Sequence, residues 1–164
     1  MAQGGAIIAQ SAQDIPVGFA EVYHSEFPGL VRLAVLLTSD PDQARDIVQD
    51  AFVHAISRWP QLDDPAAYLR RSVVNGSTDL LRRRRRAAGL TRRIAATTPR
   101  TTEPAEYLAD AIASLVPHQR TAVVLKFHLD LTTAEIADAM GIRTGSVGPT
   151  LTRALRQLRQ EMTP

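Results

Sequence analysis

Apolar residues recur along this chain at steps of three and four, and nowhere in the two-residue alternation of a half-buried strand. The cleanest stripe is Ala44, Ile47, Val48, Ala51, Phe52 and Ala55, which predicts a core-facing helix from Asp42 to about Trp59. Asp40 stands ready to cap it, and Pro41 suits its first position. Upstream, Phe19, Val22, Tyr23 and Phe27 predict a helix that Pro28-Gly29 kinks or breaks; Leu30, Leu33, Ala34, Leu36 and Leu37 resume it. After the loop from Trp59 to Asp64, Asp64 caps a helix with Pro65 in first place and with Leu69, Val73, Gly76 and Leu80 on one line. Residues 87–104 lose all periodicity and fill with Ala, Thr, Arg and Pro, the mark of a flexible linker. Beyond it, Tyr107, Leu108, Ala111, Ile112 and Leu115 mark one helix, and Pro117 opens another that carries Ala122, Val123, Leu125 and Phe127.

The last stretch, Leu131 to Glu161, predicts two helices around a tight turn. Thr132 and Glu135 form a capping box, and Ile136, Ala137 and Met140 give an apolar stripe. Gly141 can end that helix in a left-handed conformation, which a Cβ resists. In the second helix Val147, Leu151, Ala154, Leu155 and Leu158 face inward, while Ser146, Thr150, Arg153, Arg156 and Arg159 face out. Hydroxyls at the start and arginines further on match a helix-turn-helix whose second helix enters a DNA major groove. A plain helical hairpin of a small bundle has the same apolar spacing.

Charge sharpens this picture. The net charge of the 164 residues is only +2, but the distribution is uneven. Acidic residues gather from Asp40 to Asp50, basic ones from Arg70 to Arg93 and Arg143 to Arg159; Lys126 is the only lysine. Asp46, Gln49 and Asp50 form a compact acidic ridge suited to a basic protein partner, though acid near a helix start is also favoured by the macrodipole. Arg71, Asn75, Thr78 and Arg82 form a polar line that leads into the arginine run Arg82 to Arg86, which nucleic acid or plain solvent could neutralise. Without cysteine there are no disulfides or thiolate metal sites, which fits a reducing cytoplasm. His24, His54, His118 and His128 lack metal-ligand spacing, so no metal or cofactor is expected. No phosphate loop or nucleophile elbow occurs, and an enzyme is not expected. No segment reads as a membrane span, and residues 1–15 read as a loose tail rather than a secretion signal.

The order of these segments resembles the extracytoplasmic-function group of bacterial RNA polymerase sigma factors, over about Phe19 to Glu161. DQARDIVQDAFVHAISRW is similar to that family's core-binding segment, DDPAAYLRRSVVNGSTDLLRRRRR to its promoter-melting segment, and LVPHQRTAVVLKFHLDLTTAEIADAMGIRTGSVGPTLTRALRQLR to its upstream-element reader. The resemblance implies an all-α chain of two small helical domains, at 16–86 and 105–164, joined by the linker at 87–104. It implies that Asp46, Val48, Gln49, Asp50 and Phe52 dock on the coiled coil of the largest subunit of core RNA polymerase. It implies that Gln61, Asp63, Asp64, Arg71, Asn75, Thr78 and Arg82 hold the single strand of the downstream promoter element and capture a flipped base. Arg143, Ser146, Thr150, Thr152, Arg153 and Arg156 would read the upstream element of promoter DNA as duplex. An anti-sigma factor is common in such a family, without an identity encoded here. Gly148 and Pro149 stand where the family has a basic and a small polar residue. Either the reading helix then starts late, near Ser146, or it bends, and upstream recognition is weaker or unusual in sequence preference. Two other readings stay open: a free-standing helix-turn-helix regulator, which would have no need of the acidic ridge, and a chain that docks on polymerase but reads DNA poorly.

Overall fold

The computed structural model describes residues 15–91 and 104–162, so the expected tail up to residue 14 and most of the expected linker, 92–103, lie outside the described residues. Seven α-helices follow one another among those residues, with no strand: α1 Phe19–Thr38, α2 Pro41–Ile56, α3 Pro65–Thr91, α4 Pro104–Ser114, α5 Pro117–Phe127, α6 Thr133–Met140 and α7 Thr144–Met162. A single 3-10 turn, Trp59–Gln61, lies between α2 and α3.

The helix ends follow the local chemistry. Asp40 accepts the Gln43 N–H at 3.1 Å and Pro41 fills the first position of α2. Asp64 accepts the Ala67 N–H at 2.9 Å at the start of α3. Both arms of the Thr132–Glu135 capping box are made, and Gly141 takes φ 64° to end α6. Two expectations change. Of the kink or break expected at Pro28-Gly29, the break does not occur: Pro28 lies inside a continuous α1. Its missing N–H costs one helical bond, but both flanks are anchored: Phe19, Tyr23 and Phe27 pack on Phe52, and Leu30, Leu33, Ala34 and Leu37 are buried. Burying side chains of that size stabilises by about 1.5–3 kcal/mol each, which together exceeds the roughly 3 kcal/mol cost of an interior proline. The third helix runs to Thr91, past the expected end at Arg86, because arginine and alanine are good helix formers.

The helices form two groups, α1–α3 and α4–α7. Within the first, α1, α2 and α3 pack on one another; within the second, α5, α6 and α7 do. One apolar cluster nevertheless runs through both. Leu33, Leu37, Val48, Phe52, Leu69 and Val73 from the first group share it with Val124, Leu125, Leu131, Ile136 and Val147 from the second. A smaller cluster of Ala111, Leu115, Val123, Ala154 and Leu158 belongs to the second group alone. The two groups are therefore packed together face to face, with α1 and α3 against α5 and α3 against α6.

Arginines cross that boundary. Arg120 of α5 is buried, 6% exposed, and donates to the Leu37 carbonyl at the end of α1 (2.7 Å) and to the Ala113 carbonyl of α4. A guanidinium at helix C-termini meets the negative end of each macrodipole. Burial, and then the nearby Arg85 charge, push its pKa below the usual arginine value. Arg85 donates to the Leu115 carbonyl at 3.3 Å.

Candidate functional site

Three surfaces carry the chemistry expected from the sequence. The first is the outer face of α2. Asp46, Gln49 and Asp50 are exposed there, one turn apart, so the ridge exists as a continuous acidic strip. Val48 and Phe52 are not part of it: they are 0% and 3% exposed and lie in the core. Two residues from Asp46 or Asp50 is about 200° around a helix, which turns them inward. Their role is to hold the ridge in place. Val53 was missed by stripe counting, yet it is 66% exposed, one turn beyond Gln49 and Asp50. A single exposed apolar side chain is ordinary on a protein surface, and this one shares the outer face of α2 with the carboxylates.

The second surface runs along α3. Gln61, Asp63 and Asp64 are exposed at its entrance, though Asp64 is engaged in capping. Arg71 is exposed and lies 3.5 Å from Asp138 of α6. Asn75, Thr78 and Arg82 line a cavity of about 260 Å³ whose opposite wall is His118, Thr121, Met140 and Ile142 of the second group. Asn75 and Arg82 are nonetheless exposed and Thr78 is half-buried, so the polar line borders that cavity while remaining open to solvent. The Thr78 hydroxyl donates to the Val74 carbonyl at 2.8 Å, and Arg82 lies 3.4 Å from Asp79. The arginine run is partly used inside the chain: Arg84 binds Asp40 at 2.5 Å and the Thr38 carbonyl at 3.3 Å. The Gln43 N–H first, and then Arg84, hold the Asp40 carboxyl below its ordinary pKa. The local sequence hides both arginine roles, since Arg84 and Arg85 reach partners 44 and 30 residues away.

The third surface is the helix-turn-helix, α6 and α7. Arg143, Ser146, Thr152, Arg153 and Arg156 are exposed. Thr150 is not available: it is 7% exposed and its hydroxyl donates to the Ser146 carbonyl at 2.8 Å. Thr150 lies one turn from Val147 and Ala154, on the inward side, so its spacing places it with the apolar stripe. The late start is also excluded, because α7 begins at Thr144 and contains Pro149. Proline has no N–H for the Gly145 carbonyl, so one helical bond is missing in its second turn. A Cβ on Gly145 or Gly148 would meet nothing within 4 Å, so no internal packing requires either glycine. The Thr152 hydroxyl donates to the Gly148 carbonyl at 3.0 Å. Between Ser146 and Thr152 the exposed face of α7 carries only Gly148 and Pro149, and the arginines Arg153 and Arg156 follow.

Among the described residues, no group of three or more His, Asp or Glu side chains could hold a metal ion, and no helix is long and apolar enough to cross a membrane.

Comparison with known proteins places these surfaces in a frame. Residues 22–87 match the family described as Sigma-70 region 2, and residues 105–158 match Sigma-70 region 4. The RNA polymerase sigma-E factor of Streptomyces avermitilis is 35% identical over 151 residues, covering 88% of this chain and 84% of that protein. The ECF RNA polymerase sigma factor SigL of Mycobacterium tuberculosis is 29% identical, covering 84% and 85%. Among solved structures, the sigma factor RpoE in complex with the anti-sigma factor NepR from Bartonella quintana has a TM-score of 0.70 at 22% identity, covering 88% of this chain and 96% of that one. CnrH in complex with the cytosolic domain of CnrY has a TM-score of 0.65 at 24% identity, covering 91% and 92%. At these identities the two structures establish a shared fold.

Proposed function

The chain belongs to the sigma-70 family, in the extracytoplasmic-function group of RNA polymerase sigma factors, and from that membership we propose how its surfaces divide the work. The α2 ridge of Asp46, Gln49 and Asp50, with Val53 beside it, grips the coiled coil of the largest subunit of core polymerase. Carboxylates on a rigid helix supply orientation and electrostatic attraction, and one exposed apolar side chain supplies a desolvated centre. The entrance of α3, Gln61 and Asp63, and the line Arg71, Asn75, Thr78 and Arg82 hold the melted strand of the downstream element. Unstacking a base costs a few kcal/mol, so the protein needs only to trap the open form. The exposed face of α7, with Arg143, Ser146, Thr152, Arg153 and Arg156, lies on the upstream element as duplex, where arginine pairs with guanine edges and phosphates. The factor performs no covalent step of its own and works in the cytoplasm. By the structural relative solved as a complex with the anti-sigma factor NepR, an anti-sigma factor is a third partner.

The observation that carries this reading is the exposed ridge on α2. A free-standing helix-turn-helix regulator has no use for such a strip on a separate helix, and the relatives of this chain are sigma factors along most of their length. Mixing the purified chain with core polymerase and scoring co-migration and start-site-specific transcription tests it. Sigma activity gives both; a free regulator gives neither; a docking protein that reads DNA poorly gives only the first.

A further inference from the structure

We propose that the turn at residues 16–19 is a strap that acts through Trp59 to set the loop carrying Gln61 and Asp63, which makes Gly18 and Trp59 positioning residues for downstream-element reading. It rests on the assignment of Gln61 and Asp63 to the melted strand. Residues 57–64 join α2 to α3, and Trp59 is the only one of them that is buried. Leu62 is half-buried, and Gln61, Asp63 and Asp64 are exposed. The loop therefore has one firm anchor. The Arg58 carbonyl accepts the Gln61 N–H at 2.9 Å, and the Trp59 carbonyl accepts the Leu62 N–H at 3.1 Å. The placing of Trp59 is thus passed directly to the residues that follow it. A loop held at a single point opens at low free energy, and whatever fixes that point fixes the loop.

Trp59 is itself fixed from 42 residues upstream. Its indole Nε1 donates to the Val17 carbonyl at 3.1 Å, and its ring meets Phe19 edge to face with centroids 4.9 Å apart. A turn places that carbonyl. The Phe19 N–H donates to the Pro16 carbonyl at 3.1 Å, and Gly18, with φ 80° and ψ -10°, has the dihedrals of the third residue of a type II turn. In that turn type the peptide between the second and third residues is flipped relative to type I, so its carbonyl leaves from the opposite side. Here that carbonyl belongs to Val17, and it is the one that receives the indole. The Val17 side chain is 99% exposed, so this position contributes its backbone and not its side chain. A Cβ on Gly18 would come no nearer than 3.7 Å to Glu21 Oε2, an ordinary contact, so the glycine serves the positive φ rather than a need for space.

Three variants of the full chain test this. Trp59→Phe keeps an aromatic ring and removes the N–H. Gly18→Val disfavours the flipped turn, and Gly18→Asn tolerates it. In the free chain, the amides of Gln61 and Leu62 should exchange about five- to tenfold faster in Trp59→Phe and Gly18→Val, which is what losing one hydrogen bond amounts to. Those of Val48 and Ala51 in α2 should stay within about twofold of the parent, and Gly18→Asn should stay near the parent throughout. Each chain, bound to core polymerase, is then offered a randomised pool of single-stranded DNA, and the retained strands are sequenced. The parent complex should enrich particular bases at a few adjacent positions. That enrichment should fall by about half or more in Trp59→Phe and Gly18→Val, because apparent affinity scales with the competent fraction, and return in Gly18→Asn. Co-migration with core polymerase should be kept in all three. Unchanged exchange at Gln61 and Leu62, faster exchange spread equally through α2, a loosened loop with undiminished enrichment, equal losses in Gly18→Asn and Gly18→Val, or lost co-migration would each overturn the proposal. A parent complex that enriches no base would instead strike the assignment of Gln61 and Asp63, while the exchange rates would still decide whether the strap orders the loop.

Discussion

Asp46 and Asp50 are exposed while Val48 and Phe52, between and beside them, are buried, so substitutions at neighbouring positions act by different routes. Asp46→Arg with Asp50→Arg should leave the urea midpoint almost unchanged, within about 0.5 kcal/mol per site, and abolish co-migration with core polymerase. Phe52→Ala should cost about 3–5 kcal/mol and lose every activity through unfolding, with no selective effect on docking. A second residue-scale outcome concerns acid. The Asp40 carboxyl is held below its ordinary pKa by the Gln43 N–H and by Arg84. A depressed carboxylate contributes stability that is complete above its unfolded pKa and lost as pH falls through the folded one. Urea midpoints followed from roughly pH 5 to pH 2 should therefore fall less steeply in Asp40→Asn than in the parent. At this scale the sequence was readable where a cap or a stripe is local: Asp40, Asp64, Thr132 and Gly141 all act as their neighbours foretell. It was silent on Arg84, Arg85 and Arg120, because a guanidinium that binds a carbonyl 30 to 83 residues away looks the same in sequence as one bound for a phosphate.

The elements differ in how much they owe to propensity and how much to packing. α6 is short, Thr133–Met140, and both arms of its capping box are made. Thr132→Ala should cost about 1 kcal/mol and should do so mainly by loosening the helix-turn-helix, seen as faster amide exchange in α6. α7 contains Pro149, with Gly148 beside it and no packing reason for the glycine. Replacing Gly148-Pro149 with Lys-Ser restores a helical N–H and adds a cation to the exposed face. That change should raise duplex binding at the upstream element and steepen its salt dependence by about one phosphate contact. Unchanged binding, or a loss, would mean that the Gly148-Pro149 face is itself part of the recognition. Pro28 and Pro149 mark the limit of sequence rules here: a proline inside a helix is a local penalty, and whether the helix continues depends on what its two flanks bury. The capping and periodicity that defined α2 and α6 needed no such outside information.

At the scale of the molecule, the shared apolar cluster is the feature that no local pattern announces. Each half shows its own helical stripes, so the sequence reads as two domains; that Leu131 and Ile136 pack toward Leu30 and Leu33 depends on shape matching across the chain. Because one cluster spans both groups, thermal unfolding should follow a single cooperative transition, with near-ultraviolet signal from Trp59 in the first group and fluorescence from a probe on the second coinciding. Two separated transitions would mean that the seam contributes little to stability. The central claim, however, is that carboxylates on α2 join this chain to a polymerase that then takes its promoter choice from α3 and α7. The most direct test is native co-migration of the purified chain with core RNA polymerase freed of its own specificity subunit. The parent chain should co-migrate, and Asp46→Arg with Asp50→Arg should remain free in solution while still folded. A parent chain that stays unbound, or a charge-reversed chain that binds equally well, would contradict the account.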